Sequence, residues 1–202
     1  NPETIAPRVP HGRVATVAEL LDEIRPAEPC LAGVTVSGGE ATGQWRFVHD
    51  LFRALGDDPQ LSRLTRFVDS NGNALPRVWD ALLPVSDGFM LDLKALDPEV
   101  HRRLTGRGNE RVLDSVRYLH SAGKLHEVRL LLVPGFNDSD DQLQRTADWL
   151  AALDPAQRVV VIGFRQHGVR PQYAEIPEPT PDLLARWREG LERAGLSGVV
   201  TV

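Results

Sequence analysis

The sequence predicts an α/β protein built on one parallel sheet, an incomplete (β/α) barrel forming a single domain. Three observations predict it. Short apolar runs alternate with helix-length amphipathic segments along the whole chain, the pattern of right-handed βαβ units. Three of those runs end directly in polar clusters, as strands do when they deliver residues to the carboxyl end of a sheet or barrel. The chain's 202 residues also fall short of the roughly 250 that a closed eightfold barrel uses.

The elements follow in order. The stretch through Arg13 is rich in Pro and polar residues and reads as a loop. Thr16 and Glu19 form a T-x-x-E capping box ahead of Val17, Leu20, Leu21 and Ile24, which share one helix face, and Pro26 stops that helix. A strand is expected over 31–36. Trp45, Val48, Leu51, Phe52 and Leu55 recur at helical spacing, with Gly56 as the expected C-cap. A strand over 66–68, a helix over 76–83 and a strand over 88–91 come next. Helices over 98–104 and 111–122 follow, the second ended by Gly123. The apolar run 128–133 stops at Pro134-Gly135, and Ser139 is a good N-cap for a helix through Leu153. The remaining expectations are a strand over 159–162, a helix opened by Thr180-Pro181 and a short strand over 199–202.

Composition narrows the function. With 42% hydrophobic residues the chain can bury a core without disulfides or metals. A formal net charge of -5 gives no general attraction to nucleic acid or to anionic lipid, so neither is an expected partner. No apolar stretch is long enough to span a bilayer and no signal peptide is read, so the expected compartment is the cytoplasm. Cys30 is the one cysteine, which leaves no disulfide framework and no zinc cluster within the chain; beside Pro29 and ahead of a core strand it is expected to be buried. His101 and His120, in helices with polar neighbours, are expected at the surface.

The polar clusters carry the chemistry. Ser37-Gly38-Gly39-Glu40 puts two glycines at a strand end, where backbone can approach a ligand, and adds a carboxylate. The same string also suits a tight βα turn with Glu40 in the first helical turn, where its charge favours the dipole. Asp69-Ser70-Asn71-Gly72 offers oxygens and is also common turn chemistry. Asp92 and Lys94 lie two apart, share a strand face, and can be read as reactive groups or as a plain ion pair at a barrel mouth. It is the recurrence at three strand ends that favours function.

The strings VTVSGGEAT (34–42), VDSNG (68–72), MLDLK (90–94) and LLVPGFND (131–138) occur in order along the chain. Together they resemble the radical S-adenosylmethionine activases of glycyl radical enzymes, the group of the pyruvate formate-lyase activating enzyme. DPQL (58–61), LLPVSDG (82–88) and LTGR (104–107) are similar to its YjjW-type branch. That branch usually carries a ferredoxin-like cysteine insertion, and none lies between Thr4 and Thr16.

The resemblance implies a partial barrel of the radical SAM type with S-adenosylmethionine and a 4Fe-4S cluster as cofactors. It assigns the methionyl amino group to the backbone of Gly38 and Gly39 with Glu40 nearby, and the cofactor's carboxylate to Lys94. Asp69, Asn71, Asp92 and Leu93 would complete the cofactor site. Asp69, Ser70, Asp92 and the carbonyls of Met90 and Lys94 would form a monovalent cation site, hard oxygen ligands suiting such an ion. It further implies a glycyl radical enzyme as protein substrate and an electron donor such as flavodoxin or ferredoxin. The family's cluster is held by a CxxxCxxC loop ahead of a His-Asn-Pro segment, and this sequence opens at Asn1-Pro2. The reading therefore expects the cluster loop and the first barrel strand to be lacking, the strand at 31–36 to have an unpaired edge, and the chain alone to be inactive. Many relatives carry a His after the aromatic residue beyond the sixth strand; here Arg165 follows Phe164, with His167 two positions on, and no role is assigned to either.

Two other classes stay open. One is a noncatalytic barrel scaffold that binds a nucleotide or a protein. The other is a barrel lyase or aldolase using Lys94 as a Schiff-base amine beside Asp92.

Overall fold

A computed structural model of the chain describes residues 13–167, 169 and 171–202. The loop expected through Arg13 lies outside the described residues but for Arg13 itself. Six strands are described: β1 Gly33–Val36, β2 Thr65–Ser70, β3 Gly88–Leu93, β4 Leu125–Leu132, β5 Arg158–Gly163 and β6 Gly198–Thr201. The α-helices are α1 Val17–Ile24, α2 Trp45–Asp57, α3 Pro76–Leu82, α4 Pro98–Thr105, α5 Glu110–Ser121, α6 Asp140–Leu153 and α7 Pro181–Arg193. The sheet runs β1 to β6 in chain order and every pairing is parallel. It does not close, so β1 and β6 are its edges, and β1 has a neighbour on one side only among the described residues.

Local signals start the helices where the sequence says they should. The Thr16 hydroxyl accepts from the Glu19 N–H while the Glu19 carboxylate takes the Thr16 N–H, completing the capping box. Ser139 and Thr180 accept from the N–H groups of Gln142 and Leu183. Asp97 accepts from Glu99 and Val100 at the start of α4, and Gly106, with φ of 76°, ends it in the left-handed region.

Several boundaries differ, among them β4, which begins at Leu125 instead of 128. Gly56 is not a C-cap; it lies inside α2, which runs on to Asp57. The Asp58 carboxylate stops the helix there, since it accepts from the N–H groups of Gln60 and Leu61 and pairs with Arg25. The chain before β1 is a 3-10 helix over Arg25–Cys30, which shortens the expected strand at 31–36 to Gly33–Val36. Cys30 is correspondingly exposed, not buried, because that helix turns it away from the sheet. β2 and β3 extend further than expected, so that Asp69, Ser70, Asp92 and Leu93 belong to the strand ends themselves.

The two faces of the sheet differ in chemistry. Phe89, Leu91 and Leu93 of β3, Val128, Leu130 and Leu132 of β4, and Val159 and Val161 of β5 enter one core. Val48 and Phe52 of α2, Trp79 of α3, Val116 of α5, Leu150 of α6 and Trp187 of α7 close it from the helix side. Strand alternation sends Met90, Asp92, Glu127, Arg129 and Arg158 to the opposite face. The helices thus cover one face of an arc, and the inner face carries charged side chains, among them the buried Glu127.

Candidate functional site

Register places the polar strand ends side by side. Val36 pairs with Val68 and Asp69 with Met90, while Asp92 pairs with Arg129 of β4. A cavity of about 260 Å³ opens over these carboxyl ends, and its wall includes Ser37, Gly38, Gly39, Glu40, Asp69, Ser70, Asn71, Asp92 and Lys94. The three clusters that the sequence singled out therefore share one site. Leu93 and Met90 do not contribute side chains to its wall. Leu93 is in the core, and the Met90 side chain lies against Arg129, its Sδ 3.0 Å from Nη2.

Gly38 and Gly39 have φ of 89° and 53°, a conformation that other residues rarely adopt. A Cβ at either position would meet nothing within 4 Å, so the turn exposes bare backbone to open space. Glu40 holds that turn against β2. Its Oε1 accepts from the Thr42 N–H at 3.0 Å, the Thr42 hydroxyl at 2.7 Å and the Ser70 hydroxyl at 2.7 Å, and its Oε2 accepts from the Asn71 N–H at 2.9 Å. Glu40 is the N-cap of the short 3-10 helix Ala41–Gln44, one position ahead of the first turn in which the sequence set it, and its carboxylate also knits the cavity wall.

Arg129, which the sequence reading passed over, organises the floor. Its Nη1 donates to Asp69 Oδ2 at 2.7 Å, its Nε to Glu127 Oε1 at 2.6 Å, and its Nη2 lies 3.0 Å from Met90 Sδ. The Ser37 hydroxyl donates to the same Asp69 oxygen at 3.0 Å, and Arg158 completes the pairing of Glu127 at 3.0 Å. Burial alone would raise the Glu127 pKa, but the two guanidinium groups outweigh it and hold the carboxyl below its ordinary value. Burial likewise opposes the charge on Arg129, and Glu127 with Asp69 reverses that, raising its pKa. Period-2 reading of Glu127 and Arg129 was the signal available for this pair, because alternation sets both against Val128 and Leu130.

Lys94 Nζ lies 2.8 Å from Asp92 Oδ2. The Lys94 carbonyl accepts from Asn137 Nδ2 at 2.7 Å; the same amide nitrogen donates to Leu131 and the Asn137 oxygen accepts from the Val133 N–H. Asn137, inside the LLVPGFND string, therefore clamps the end of β3 to the end of β4. His101 is a correction: it is 4% exposed and lines the cavity instead of facing solvent. Its Nδ1 lies 3.0 Å from the Arg107 carbonyl, which draws the ring under α4. His120 is half-buried, and Arg165 and His167 are exposed.

The donor set can be tested against the expected groups. An ammonium meets exposed backbone and carboxylates near Gly38, Gly39 and Asp69; a carboxylate meets Lys94; hydroxyls meet Asp92. S-adenosylmethionine, a zwitterion with a sulfonium and a nucleoside, fits this chemistry. A monovalent cation does not fit beside the carboxylates as they stand, because Arg129 already compensates Asp69 and Lys94 compensates Asp92. An iron-sulfur cluster does not fit either. Three thiolates are needed, the sequence has one cysteine, and among the described residues no group of three His, Cys, Asp or Glu side chains is placed to hold a metal.

The profile of the Radical SAM superfamily matches residues 1–150. With the open parallel arc and the strand-end cavity, this defines the class: the chain belongs to the radical SAM superfamily. Its relatives narrow that to the pyruvate formate-lyase-activating enzymes. It is 32% identical over 163 residues to pyruvate formate-lyase 1-activating enzyme of Escherichia coli (strain K12), covering 78% of this chain and 65% of that protein. It is also 32% identical over 175 residues to pyruvate formate-lyase-activating enzyme of Staphylococcus aureus (strain USA300), covering 84% and 69%. The chain thus spans about two thirds of the length of these relatives. Among solved structures it resembles a domain of pyruvate-formate lyase-activating enzyme from Bacteroides vulgatus ATCC 8482. That match has a TM-score of 0.68 and 22% identity, over 85% of this chain and 99% of that one. Streptococcus suis SuiB bound to S-adenosylmethionine gives 0.73 and 18%, over 95% and 44%. At these identities the structures support the fold, an unclosed radical SAM partial barrel.

Proposed function

We propose that this chain forms the S-adenosylmethionine-binding arc of an activase that installs a glycyl radical on a partner enzyme. The observation that carries the reading is the convergence of the SGGE, DSN and DLK strand ends on one cavity in a chain 32% identical to activating enzymes. The reaction is reductive cleavage of S-adenosylmethionine to methionine and a 5′-deoxyadenosyl radical, which removes a hydrogen atom from a glycine of the partner. A 4Fe-4S cluster supplies the electron in this family, from a donor such as flavodoxin or ferredoxin; its ligands are not among this chain's residues, so no cluster step is assigned to them.

The residues bind and orient. Backbone carbonyl groups of the Gly38-Gly39 turn receive the ammonium, with Asp69 adding negative charge beside it. Lys94 meets the carboxylate, exchanging part of its contact with Asp92, whose freed oxygen then takes a hydroxyl. Asn71 and the backbone of Leu93 line the remaining wall. Glu40 and Arg129 act one step back, holding the turn and the floor in place, and the low-dielectric core beneath β3 strengthens each charged contact.

Thermal unfolding with added S-adenosylmethionine tests this without requiring turnover. At a hundredfold excess over the dissociation constant the native state gains about 2.7 kcal/mol, which for a chain of this size raises Tm by roughly 5–10 °C. Lys94→Ala should weaken binding about tenfold or more, the loss of one charge-assisted contact. A wild-type chain whose Tm stays flat up to saturating ligand would overturn the reading. An unchanged affinity in Lys94→Ala would overturn the role given to Lys94.

A further inference from the structure

The cavity's carboxylates are each engaged by a donor. Glu40 takes four, Asp69 takes Ser37 and Arg129 on Oδ2, and Asp92 holds the Lys94 ammonium on Oδ2. His101 adds an uncharged group to this wall. His101 Nδ1 lies 3.0 Å from the Arg107 carbonyl, which only accepts, and 3.2 Å from the Thr105 hydroxyl, which can send its own hydrogen to the His101 or Arg107 carbonyl; the Nδ1–H tautomer, with a lone pair on Nε2, satisfies both contacts. No partner for Nε2 is found among the described residues, and the 4%-exposed ring forms part of the cavity wall.

Its surroundings keep the ring neutral. Burial is the main influence lowering its pKa, and Lys94, just beyond β3, acts in the same direction; the Arg107 carbonyl and Glu110 of α5 oppose them. A neutral acceptor suits a neutral donor. In S-adenosylmethionine the neutral donors are the two ribose hydroxyls and the adenine amine. The amino end belongs at Gly38-Gly39, beyond β1, whereas His101 stands next to Lys94, beyond β3. Two strand spacings separate these points, roughly 10 Å, a span that passes the sulfonium and arrives at the sugar before the base.

We propose that His101 Nε2 accepts a hydrogen bond from a ribose hydroxyl, making His101 a nucleoside-recognition residue of this site. The inference rests on the S-adenosylmethionine reading above. It gives the sugar a fixed neutral contact beside the charged Asp92–Lys94 pair, so that the nucleoside is oriented by a group which does not compete for the ligand's charges.

The test is a binding comparison of S-adenosylmethionine with its 2′-deoxy and 3′-deoxy analogues, on the wild-type chain and on His101→Ala, by calorimetry. The wild type should prefer the parent ligand to one of the two analogues by roughly tenfold, about 1.4 kcal/mol. His101→Ala should bind the parent and that analogue alike, while its affinity for the analogue stays within about twofold of wild type. Equal weakening toward all three ligands would mean that His101 only braces α4, and would overturn the proposal. If His101→Ala fails to fold, His101→Phe, which fills the same space and cannot accept a hydrogen bond, takes its place, and a hydroxyl preference that survives in His101→Phe overturns the proposal. A wild type that binds none of the ligands overturns the underlying reading, an outcome distinct from binding without hydroxyl preference, which overturns the His101 role alone.

Discussion

Arg129 links three strands from one side chain, reaching Asp69 on β2, Met90 on β3 and Glu127 on its own strand β4. Replacing it by Met would leave Glu127 with Arg158 alone and Asp69 with Ser37 alone. The expected cost is about 1–3 kcal/mol, read as a lower urea midpoint at pH 7. The acid limb of stability should change as well. The folded Glu127 pKa is depressed below its ordinary 4.5, so the unfolded state binds more protons between the two values. Stability from this group is therefore complete above about pH 4.5 and is lost as pH falls through the folded pKa. Wild-type midpoints should drop on acidification below pH 4.5, and Arg129→Met should flatten that drop; parallel curves would show that Arg129 is not what holds Glu127 ionised.

At the scale of elements, the β3–β4 pair bears both ends of the site. At its carboxyl end Asn137 donates to Lys94 and Leu131 and accepts from Val133. Asn137→Ala should cost roughly 2–4 kcal/mol in denaturant unfolding, because it strands buried backbone groups, and should also weaken S-adenosylmethionine binding by letting Lys94 drift. Loss of stability with ligand affinity intact would separate the clamp from the site. Toward the amino end, Phe67 and His126 stack across Gly88 with ring centroids 4.6 Å apart. A Cβ on Gly88 would lie 2.4 Å from a Phe67 ring carbon and 3.2 Å from the His126 Cβ. Gly88→Ala should therefore destabilise by roughly 1–3 kcal/mol without altering ligand affinity, since the pair sits at the far end of the strands. Element existence was legible from periodicity, whereas α2 outran Gly56 because the Asp58 carboxylate, three-dimensionally tied to Arg25, supplied the stop instead.

For the whole molecule, the sheet's open order β1 to β6 and its one-sided helix cover leave a charged inner wall beside the cavity. A parallel sheet normally buries both faces, and here the inner face carries the Asp69–Arg129–Glu127–Arg158 ion pairs beside the buried Met90 and Val160. Added salt should accordingly lower the melting temperature modestly, as the partly exposed Arg158 and Arg129 contacts are screened. A melting temperature that is unchanged or higher in about 0.5 M sodium chloride would argue that these pairs contribute little to stability.

Apolar periodicity, caps and the three strand-end strings determined the α/β class, the order of its elements and the family, because each is a local pattern or a string of adjacent residues. The tertiary structure alone decided which oxygens remain available. Glu40, Asp69 and Asp92 look alike in the sequence as carboxylates at strand ends, yet Asp92 is held by Lys94 two residues on, Glu40 by Ser70 30 residues away and Asp69 by Arg129 60 residues away. His101 looked like a surface histidine because its neighbours in α4 are charged, and only the folded arrangement of the chain buries its ring in the cavity wall. Hydrogen-bond commitment and burial depend on contacts between distant segments, which no local pattern encodes.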